Sequence, residues 1–289
     1  MRETGWTFTS DRLRYAETVV DFLREDPIRN AVSLHVALRL PTSLRAPEPD
    51  DRYGWWTDGE DGRIRATFHL HVPRALMLST DLPERAAAEL PAAWLAAGLA
   101  RPTGVFGLVE TAAQVSAGLV ELAGGGYRPR PKHEMRLFSW DEPAPPDPAP
   151  RGESRLATLD DLPLLVRWER GFAEDCEIQL PEVIEPFVRE RIEDGRAVLW
   201  TVDGEPVATA SFLPVIAATA RILGVYTPPE QRRKGYAAGV TWDTGRVAER
   251  KGAKHVLLHT DLSNPTSNAI YRRLGYRPIH DVTEFEFTE

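Results

Sequence analysis

The chain has 289 residues, of which 42% are hydrophobic and 27% charged, and its net charge is −8. This length suits two domains of ordinary size, each able to bury its own core. The acidic balance argues against nucleic acid or a membrane surface as a partner, and it is compatible with a cationic substrate such as an amine. The apolar runs are too short to span a bilayer, and the first residues do not resemble a secretory signal. Because Cys176 is the single cysteine and can form no internal disulfide, we expect a cytoplasmic protein.

Two segments of the first half contain prominent residues. Residues 41–62 are rich in proline and aspartate and include the pair Trp55-Trp56, so we expect a long loop there. His69 and His71 lie two residues apart on a predicted strand. Without a carboxylate or cysteine in range they indicate an exposed strand face, and the sequence predicts no metal site.

A proline-rich segment divides the chain. Five of the ten residues of Asp141–Pro150 are proline. Proline fixes φ and removes a hydrogen-bond donor, so the segment suits neither a helix nor a central strand. We interpret it as a semi-rigid linker between a domain over 1–140 and a domain over 151–289.

Helices and strands alternate after this linker. Apolar residues at helical spacing predict helices, β-rich runs predict strands, and Asp203-Gly204 is a hairpin signal. Gly252 follows the longest helix, at the position that favours a left-handed cap. The order predicts an α/β fold in which a mixed sheet is flanked by helices. The predicted elements are helices over 159–172 and 182–192, strands over 197–201, 206–212 and 221–226, a helix over 235–251, a strand over 255–260, a helix over 266–274 and a strand over 282–287.

A tetrapeptide recurs near the end of each half. Gly126–Pro129 reads Gly-Tyr-Arg-Pro and reappears 149 residues later as Gly275–Pro278, and a phenylalanine follows each glycine by twelve residues. This matched placement indicates a tandem duplication. The first copy has LPERAAAEL where the second has PPEQRRKGYAA, so it lacks the glycine. It also has apolar residues where the second copy has polar ones, so we predict that only the second half is catalytic. The pairs are Leu122 opposite Tyr271, Leu119 opposite Asn268 and Val115 opposite Asn264.

The segment before the longest predicted helix has the composition of an anion site. Unpaired amides at a helix start point outward, and the helix dipole adds partial positive charge there. The three cationic residues Arg232–Lys234 come first, Gly235 lets the backbone approach a ligand, and Ala237 and Ala238 keep the next turn bare. Residues 232–238 therefore predict a diphosphate-binding loop.

Over residues 154–289 the sequence resembles the GNAT superfamily of N-acetyltransferases. Residues 232–237 match its Q/R-x-x-G-x-G/A acetyl-CoA signature, and residues 223–228 match the strand before it. Asn264-Pro265 and residues 268–276 match the late N-P…A-x-x-x-Y-x-x-x-G-[FY] segment. The first half resembles a degenerate copy of the same fold. The resemblance implies acetyl-CoA as co-substrate and transfer of its acetyl group to a primary amine of a small molecule or peptide.

The resemblance also implies roles for single residues. The strand ending at Thr227 should separate from its neighbour, which would free backbone groups for the pantetheine arm and the acetyl carbonyl. Tyr271 is the expected acid for the departing thiolate, because a phenol is protonated at neutral pH. Glu174 and Asp175 are candidate bases, although the acidic segment that contains them is slightly more typical of a solvent-exposed connection. The predicted cofactor-binding residues are Val225, Tyr226, Thr227, Arg232, Arg233, Lys234, Gly235, Tyr236, Ala237, Ala238, Asn264 and Asn268.

Two other hypotheses stay open from the sequence. A non-catalytic acyl-CoA sensor would keep the loop, although it has no use for Tyr271 as an acid. Alternatively, an enzyme would use a different acyl group, such as succinyl. The sequence decides neither the acceptor nor the choice between monomer and homodimer.

Overall fold

The computed structural model describes residues 4–39, 48–59, 61–124, 126–178, 180–181 and 183–289. Contacts divide the chain into two compact units. Unit 1 comprises residues 1–136, 261–263 and 280–289, and unit 2 comprises residues 137–260 and 264–279. Within the described ranges, no helix combines the length and the apolarity that crossing a membrane requires.

Unit 1 is a mixed sheet with helices. Its strands follow the order β1-β2-β3-β4-β5, in which β4 and β5 are parallel and the other neighbours antiparallel. The last strand of the chain, β12 (Tyr276–Thr288), pairs with β5 through Val282 opposite Leu108. The elements are β1 (Gly5–Thr9), α1 (Arg12–Glu25), α2 (Ala31–Arg39), β2 (Arg52–Thr57), β3 (Ile64–Leu70), β4 (Leu76–Leu78), α3 (Glu84–Ala96), β5 (Gly104–Leu108), α4 (Val109–Leu122) and residues 128–136 of β6 (Arg128–Trp140).

Unit 2 repeats this arrangement. Its strands follow the order β7-β8-β9-β10-β11, in which β10 and β11 are parallel and the other neighbours antiparallel. The end of β6 lies beside β11. The elements are β7 (Glu153–Leu156), α5 (Leu162–Asp175), α6 (Glu185–Glu193), β8 (Ala197–Val202), β9 (Glu205–Phe212), β10 (Thr219–Tyr226), α7 (Tyr236–Arg250), β11 (His255–Asp261) and α8 (Pro265–Arg273).

Both faces of the unit 2 sheet are covered. Successive side chains of a strand point to opposite faces, so Val198 and Trp200 of β8 join the core that includes residues of α7. Ala197 and Leu199 join the core formed with α5 and α6. This double burial explains why β8 is almost continuously apolar. It also places β10 between α5 on one face and α7 on the other.

The structure confirms the elements predicted for the second half. Each predicted helix and strand is found in the described residues; α6 begins at Glu185, and Glu182 lies outside the described part of the chain. The hairpin between β8 and β9 turns at Asp203 and Gly204, whose φ values are +53° and +86°. Gly252 has φ of +97° at the end of α7, as the cap signal predicted.

The loop predicted over residues 41–62 was wrong in part. Residues 41–47 and residue 60 lie outside the described residues, but Trp55 and Trp56 belong to strand β2 and are 8% and 3% exposed. Large aromatic residues favour a half-buried pleated surface, and their burial outweighs the neighbouring turn-forming residues. Strand β7, which precedes the first helix of unit 2, was also missed.

The histidine prediction in the first half was wrong as well. His69 lies on β3 and is only 4% exposed. Burial lowers the pKa of His69 to about 3, with the positive charges of His71 and Arg74 adding to the shift. His69 is therefore a neutral core residue at pH 7 instead of part of an exposed face.

The proline-rich segment packs onto unit 2. The amides of Glu142 and Ala144 donate to the carbonyls of Gly275 and Leu274 at 3.3 and 3.2 Å. The compact units thus place the segment in unit 2 and the last ten residues in unit 1, unlike the boundaries expected from sequence. Along the chain, one order of elements, β-α-α-β-β-β-α-β-α-β, occurs twice.

Candidate active site

Strand β10 parts from β11 before either strand ends. Their parallel pairing runs from Thr219 opposite His255 to Ile222 opposite Leu258, although β10 continues to Tyr226. On its other side, β10 carries an irregularity between Leu223 and Tyr226 against β9, and Gly224 there has φ of +60°. A bulge leaves ladder groups unpaired. Backbone groups of β10 between residues 223 and 226 are therefore available to a ligand.

The chain between β10 and α7 exposes several backbone amides. Arg233 and Gly235 both have left-handed φ values, +64° and +83°. The amides of Tyr236 and Ala237 lie in the first turn of α7, where a helix offers them no acceptor. Across the described loop, no backbone hydrogen bond is donated between the amide of Arg232 and that of Ala238, which donates to the carbonyl of Gly235 at 3.0 Å. The amides of residues 233–237 are therefore left for an anion.

Gly235 is required by the backbone itself. Its φ of +83° is one that residues with a Cβ rarely adopt. A Cβ at this position would also lie 3.3 Å from the Cβ of Pro150, in the proline-rich segment. The glycine thus allows the turn that presents the amides, and Pro150 of the proline-rich segment packs against that turn.

Arg232 fixes the shape of the loop. Its Nε donates to the carbonyl of Thr227 at 3.0 Å, and its Nη2 forms an ion pair with Asp175 at the end of α5. The Thr227 carbonyl and the Asp175 carboxylate are therefore both engaged within the protein. The Thr227 hydroxyl oxygen is buried and has no hydrogen-bond partner among the described residues, so it is a group that a ligand can use.

The other cations of the loop remain near solvent. Arg233 and Lys234 are exposed, and Nζ of Lys234 bonds Oε1 of Gln231 at 2.8 Å. The same Nζ lies 5.9 Å from the ring centroid of Tyr236. These side chains place positive charge around the free amides without filling the space in front of them.

The two predicted asparagines belong to α8. Asn264 caps this helix, with its side-chain oxygen accepting from the amide of Ser267 at 3.0 Å. Asn268 is 5% exposed, and its Nδ2 donates to the carbonyl of Asn264 at 2.7 Å. Both side chains thus order the start of α8, which positions Tyr271 two turns further on.

Tyr271 is buried in the core that unit 2 forms with α7. It is 8% exposed, and its ring lies 5.9 Å from that of Tyr276. Burial raises the pKa of Tyr271 to about 12, and a hydrogen bond from Ser267 opposes this shift. The phenol is therefore protonated through the neutral range.

The end of α5 and the residues just after it border a shallow depression of about 440 Å³; Glu174 and Asp175 belong to the last turn of α5 and not to a connection between helices. Glu174 is exposed at the edge of the depression, which is open to solvent. The residues that line the depression are Arg170, Ala173, Glu174, Glu177, Ile178 and Leu180.

Burial raises the pKa of Tyr226, with the charge of Asp175 adding to the shift and Arg232 opposing it.

The sequence interpretation missed one acidic residue. Glu169 on α5 forms an ion pair with Arg191 of α6 at 3.2 Å, and the two side chains are 17% and 8% exposed. A Cβ on Gly224 would lie 3.5 Å from Oε2 of Glu169. A lone glutamate on an amphipathic helix is usually a solvated residue, so only the fold reveals that this carboxylate faces the bulge of β10.

Residues 158–276 match the family model described as Acetyltransferase (GNAT) family. Residues 158–276 form a GNAT acetyltransferase domain. The match covers the bulged strand, the amide loop and α8. No curated protein is significantly similar to the whole sequence.

Solved structures extend the likeness of fold beyond the GNAT domain to the rest of the chain. An acetyltransferase of the GNAT family from Colwellia psychrerythraea is 11% identical, with a TM-score of 0.61 and coverage of 98% of this chain and 99% of its own. A Drosophila protein is 13% identical, with a TM-score of 0.65 and coverage of 99% of each chain. A GCN5-related N-acetyltransferase from Sphaerobacter thermophilus is 18% identical, with a TM-score of 0.61 and coverage of 97% and 94%. At these identities the likeness establishes the fold alone, so the activity has to be argued from the residues of the site.

Proposed function

We propose that the GNAT domain transfers the acetyl group of acetyl-CoA to a primary amine of a small molecule or peptide. One observation carries the proposal: the bulged, unpaired end of β10 leads directly into a loop of free amides at the start of α7. An extended pantetheine arm matches an unpaired strand edge, and a diphosphate matches amides at a helix N-terminus. The spacing of the two features along one chain segment suits a single ligand with both parts.

In this proposal the exposed charges of Arg233 and Lys234 surround the diphosphate, while the amides of residues 233–237 bond it. The Val225 amide and the buried Thr227 hydroxyl are the groups nearest to the thioester end. Donors that are fixed before the reaction stabilise the oxyanion without reorganisation.

The reaction itself is a direct attack. The amine nitrogen forms a bond to the thioester carbonyl carbon, and the C–S bond breaks as the tetrahedral intermediate collapses. Tyr271 gives its proton to the coenzyme A thiolate and regains a proton that the nitrogen releases on becoming an amide. The high pKa of Tyr271 keeps this proton in place at neutral pH. We also propose that unit 1 is a degenerate copy that takes no part in catalysis.

Labelled acetyl-CoA and a panel of primary amines (putrescine, lysine, glucosamine and a lysine-containing peptide) test this function. We expect release of free coenzyme A thiol together with an acetylated amine, detected by mass spectrometry. Normal acetyl-CoA binding without transfer to any amine would instead identify a sensor. Faster transfer from succinyl-CoA than from acetyl-CoA would change the acyl group and keep the enzyme.

A further inference from the structure

The Glu169–Arg191 pair lies beside the bulge of β10. Oε2 of Glu169 faces Gly224, and Nη1 of Arg191 lies 4.0 Å from the point that a Cβ on Gly224 would occupy. Gly224 immediately precedes Val225, in the stretch where β10 has left β11. The carboxylate is therefore on the α5–α6 face of the strand, beside its unpaired backbone.

Packing alone does not require charged residues at the positions of Glu169 and Arg191. Glu169 is the eighth residue of α5, and the eighth residue of α1 is Val19; both helices have 14 residues. Arg191 is the seventh residue of α6, and the seventh residue of α2 is Ala37. Val19 and Ala37 are fully buried in unit 1.

The helix register behind this comparison is supported by other residues. The eleventh residue of the first helix is phenylalanine in both copies, Phe22 and Phe172. The fourth residue of the second helix is buried and apolar in both, Leu34 and Val188. The same scaffold thus folds with an apolar pair in unit 1 and holds a largely buried ion pair in unit 2.

The ion pair is also incompletely satisfied. Nε of Arg191 donates to the carbonyl of Phe187 at 3.2 Å, which fixes the guanidinium on α6. Its Nη1 is buried and has no hydrogen-bond partner among the described residues. Burying charges is costly, and an apolar pair of similar size is often as stable or more stable. A polar ligand at the bulge would supply hydrogen-bond partners to both side chains, which the packing of the helices does not supply.

The other acids of α5 are less suited to meet an amine. Asp175 is exposed and paired with Arg232 of the loop, away from Gly224, and Glu174 is exposed at the open depression. Glu169 combines burial, a fixed partner and a direct approach to β10. Glu169 is therefore the carboxylate of α5 that has a defined position beside the bulge of β10.

We propose that Glu169 binds the ammonium group of the acceptor and takes one proton from it, and that Arg191 is a positioning residue that aims the carboxylate at the bulge. This inference rests on the proposed acetyl transfer. The proton moves from nitrogen to Glu169, the neutral amine then attacks, and Glu169 later releases the proton to solvent. Overall, an alkylammonium ion and acetyl-CoA give an amide, coenzyme A thiol and one proton.

Three variants test the assignment. Glu169→Gln removes the charge with little change of shape, but it leaves Arg191 without its partner and so risks misfolding. The double variant Glu169→Val with Arg191→Ala installs the pair that unit 1 already buries, and it keeps the test valid if the single variant fails to fold. Glu193→Gln removes an exposed carboxylate from α6 and serves as the matched control.

The measurements separate chemistry from folding. For the amine that the wild type acetylates, we expect Glu169→Gln and the double variant to lower kcat/KM about 100-fold, the scale of a proton-transfer contribution. The Kd for acetyl-CoA should stay near the wild-type value in both. Methoxyamine, which is neutral at pH 7, should suffer a smaller loss than the alkylamine, after subtraction of its protein-free reaction. Glu193→Gln should match the wild type.

The outcomes separate this inference from the function on which it rests. A wild type that binds acetyl-CoA and acetylates no amine overturns the proposed function, and the role of Glu169 with it. A wild type that acetylates an amine while both variants keep that rate overturns only the role of Glu169. Equal losses of acetyl-CoA affinity and turnover in both variants would mean that the pair is structural, which also overturns it.

Discussion

Units 1 and 2 share one order of elements, yet their corresponding helices begin in different surroundings. In unit 1, α3 begins after Pro83, and Ala86 and Ala87 in its first turn are 0% and 1% exposed. In unit 2, α7 begins at a left-handed glycine, and exposed cationic residues precede it. The fold therefore supplies a helix N-terminus twice. Only the copy that leaves its amides open to solvent has the form of an anion site.

A second difference concerns α4 and α8. Val115 and Leu119 of α4 are 0% and 6% exposed and pack in the core of unit 1. At the positions opposite them, unit 2 has Asn264 and Asn268, which order the start of α8 below Tyr271. Unit 1 thus has apolar packing at these positions where unit 2 has polar side chains, which supports the proposal that unit 1 takes no part in catalysis.

The largest effect should come from the glycine that distinguishes the two helix starts. Gly235→Val places a branched side chain at a left-handed φ and against Pro150, so the amides can no longer point to one ligand. We expect the Kd for acetyl-CoA to rise at least about 100-fold, since several charge-assisted hydrogen bonds are lost together. Isothermal titration calorimetry measures the effect.

Gly252→Val is the matched control. Gly252 lies at the other end of α7, has φ of +97°, and has open space where a Cβ would be added. Its replacement carries a backbone strain of about 1–2 kcal/mol but does not touch the loop. If both variants bind acetyl-CoA equally well, or equally poorly, the loop assignment is lost.

Tyr271→Phe tests the polar function of α8. Removing the phenol should lower kcat about 10- to 100-fold at pH 7 with little change in the Kd for acetyl-CoA, because the proton is needed only when the thiolate leaves. Tyr276→Phe is the control: Tyr276 is fully buried, and its hydroxyl has no hydrogen-bond partner among the described residues. Wild-type turnover by Tyr271→Phe would remove this residue from the mechanism.

The prediction for His69 concerns the stability of unit 1. Its pKa in the folded protein is about 3, below the ordinary value of 6.5, so the unfolded chain binds more protons between these values. The free energy of unfolding should therefore fall as the pH drops below about 6.5, by up to about 1.4 kcal/mol per pH unit. In urea titrations between pH 7 and pH 4, His69→Phe should show a shallower decline than the wild type. Identical slopes would refute this account of His69.

The smallest expected effect belongs to Asp175. Because the structure pairs Asp175 with Arg232, we expect Asp175→Asn and Arg232→Gln to have similar, few-fold consequences that act mainly on acetyl-CoA binding. A catalytic base would behave differently, with a loss of about 100-fold in kcat confined to Asp175→Asn. Steady-state kinetics of both variants distinguish these roles.

The features that the sequence predicted well are local. The turn at Asp203-Gly204, the cap at Gly252 and the loop before α7 all depend on glycine or on residues next to it. Their backbone requirements act over a few residues, so a pattern along the chain is enough to find them. The repeated tetrapeptide was informative for a similar reason, since it marks equivalent strand starts.

The features that were missed depend on tertiary packing. The ion pair of Arg232 with Asp175 joins residues 57 positions apart, and that of Glu169 with Arg191 joins two helices. His69 and Trp55 were misjudged because burial is decided by which face of the sheet a helix covers. A comparison of the two copies helix by helix would have found Glu169, because Val19 stands at its position in unit 1.

The central claim is that each chain has one acetyl-CoA site and that it lies in unit 2. Calorimetric titration of the wild-type protein with acetyl-CoA tests this most directly through the number of sites. We expect one molecule of acetyl-CoA bound per chain. A stoichiometry of two would show that unit 1 has kept a site, and the absence of binding would contradict the assignment of the loop over residues 232–238.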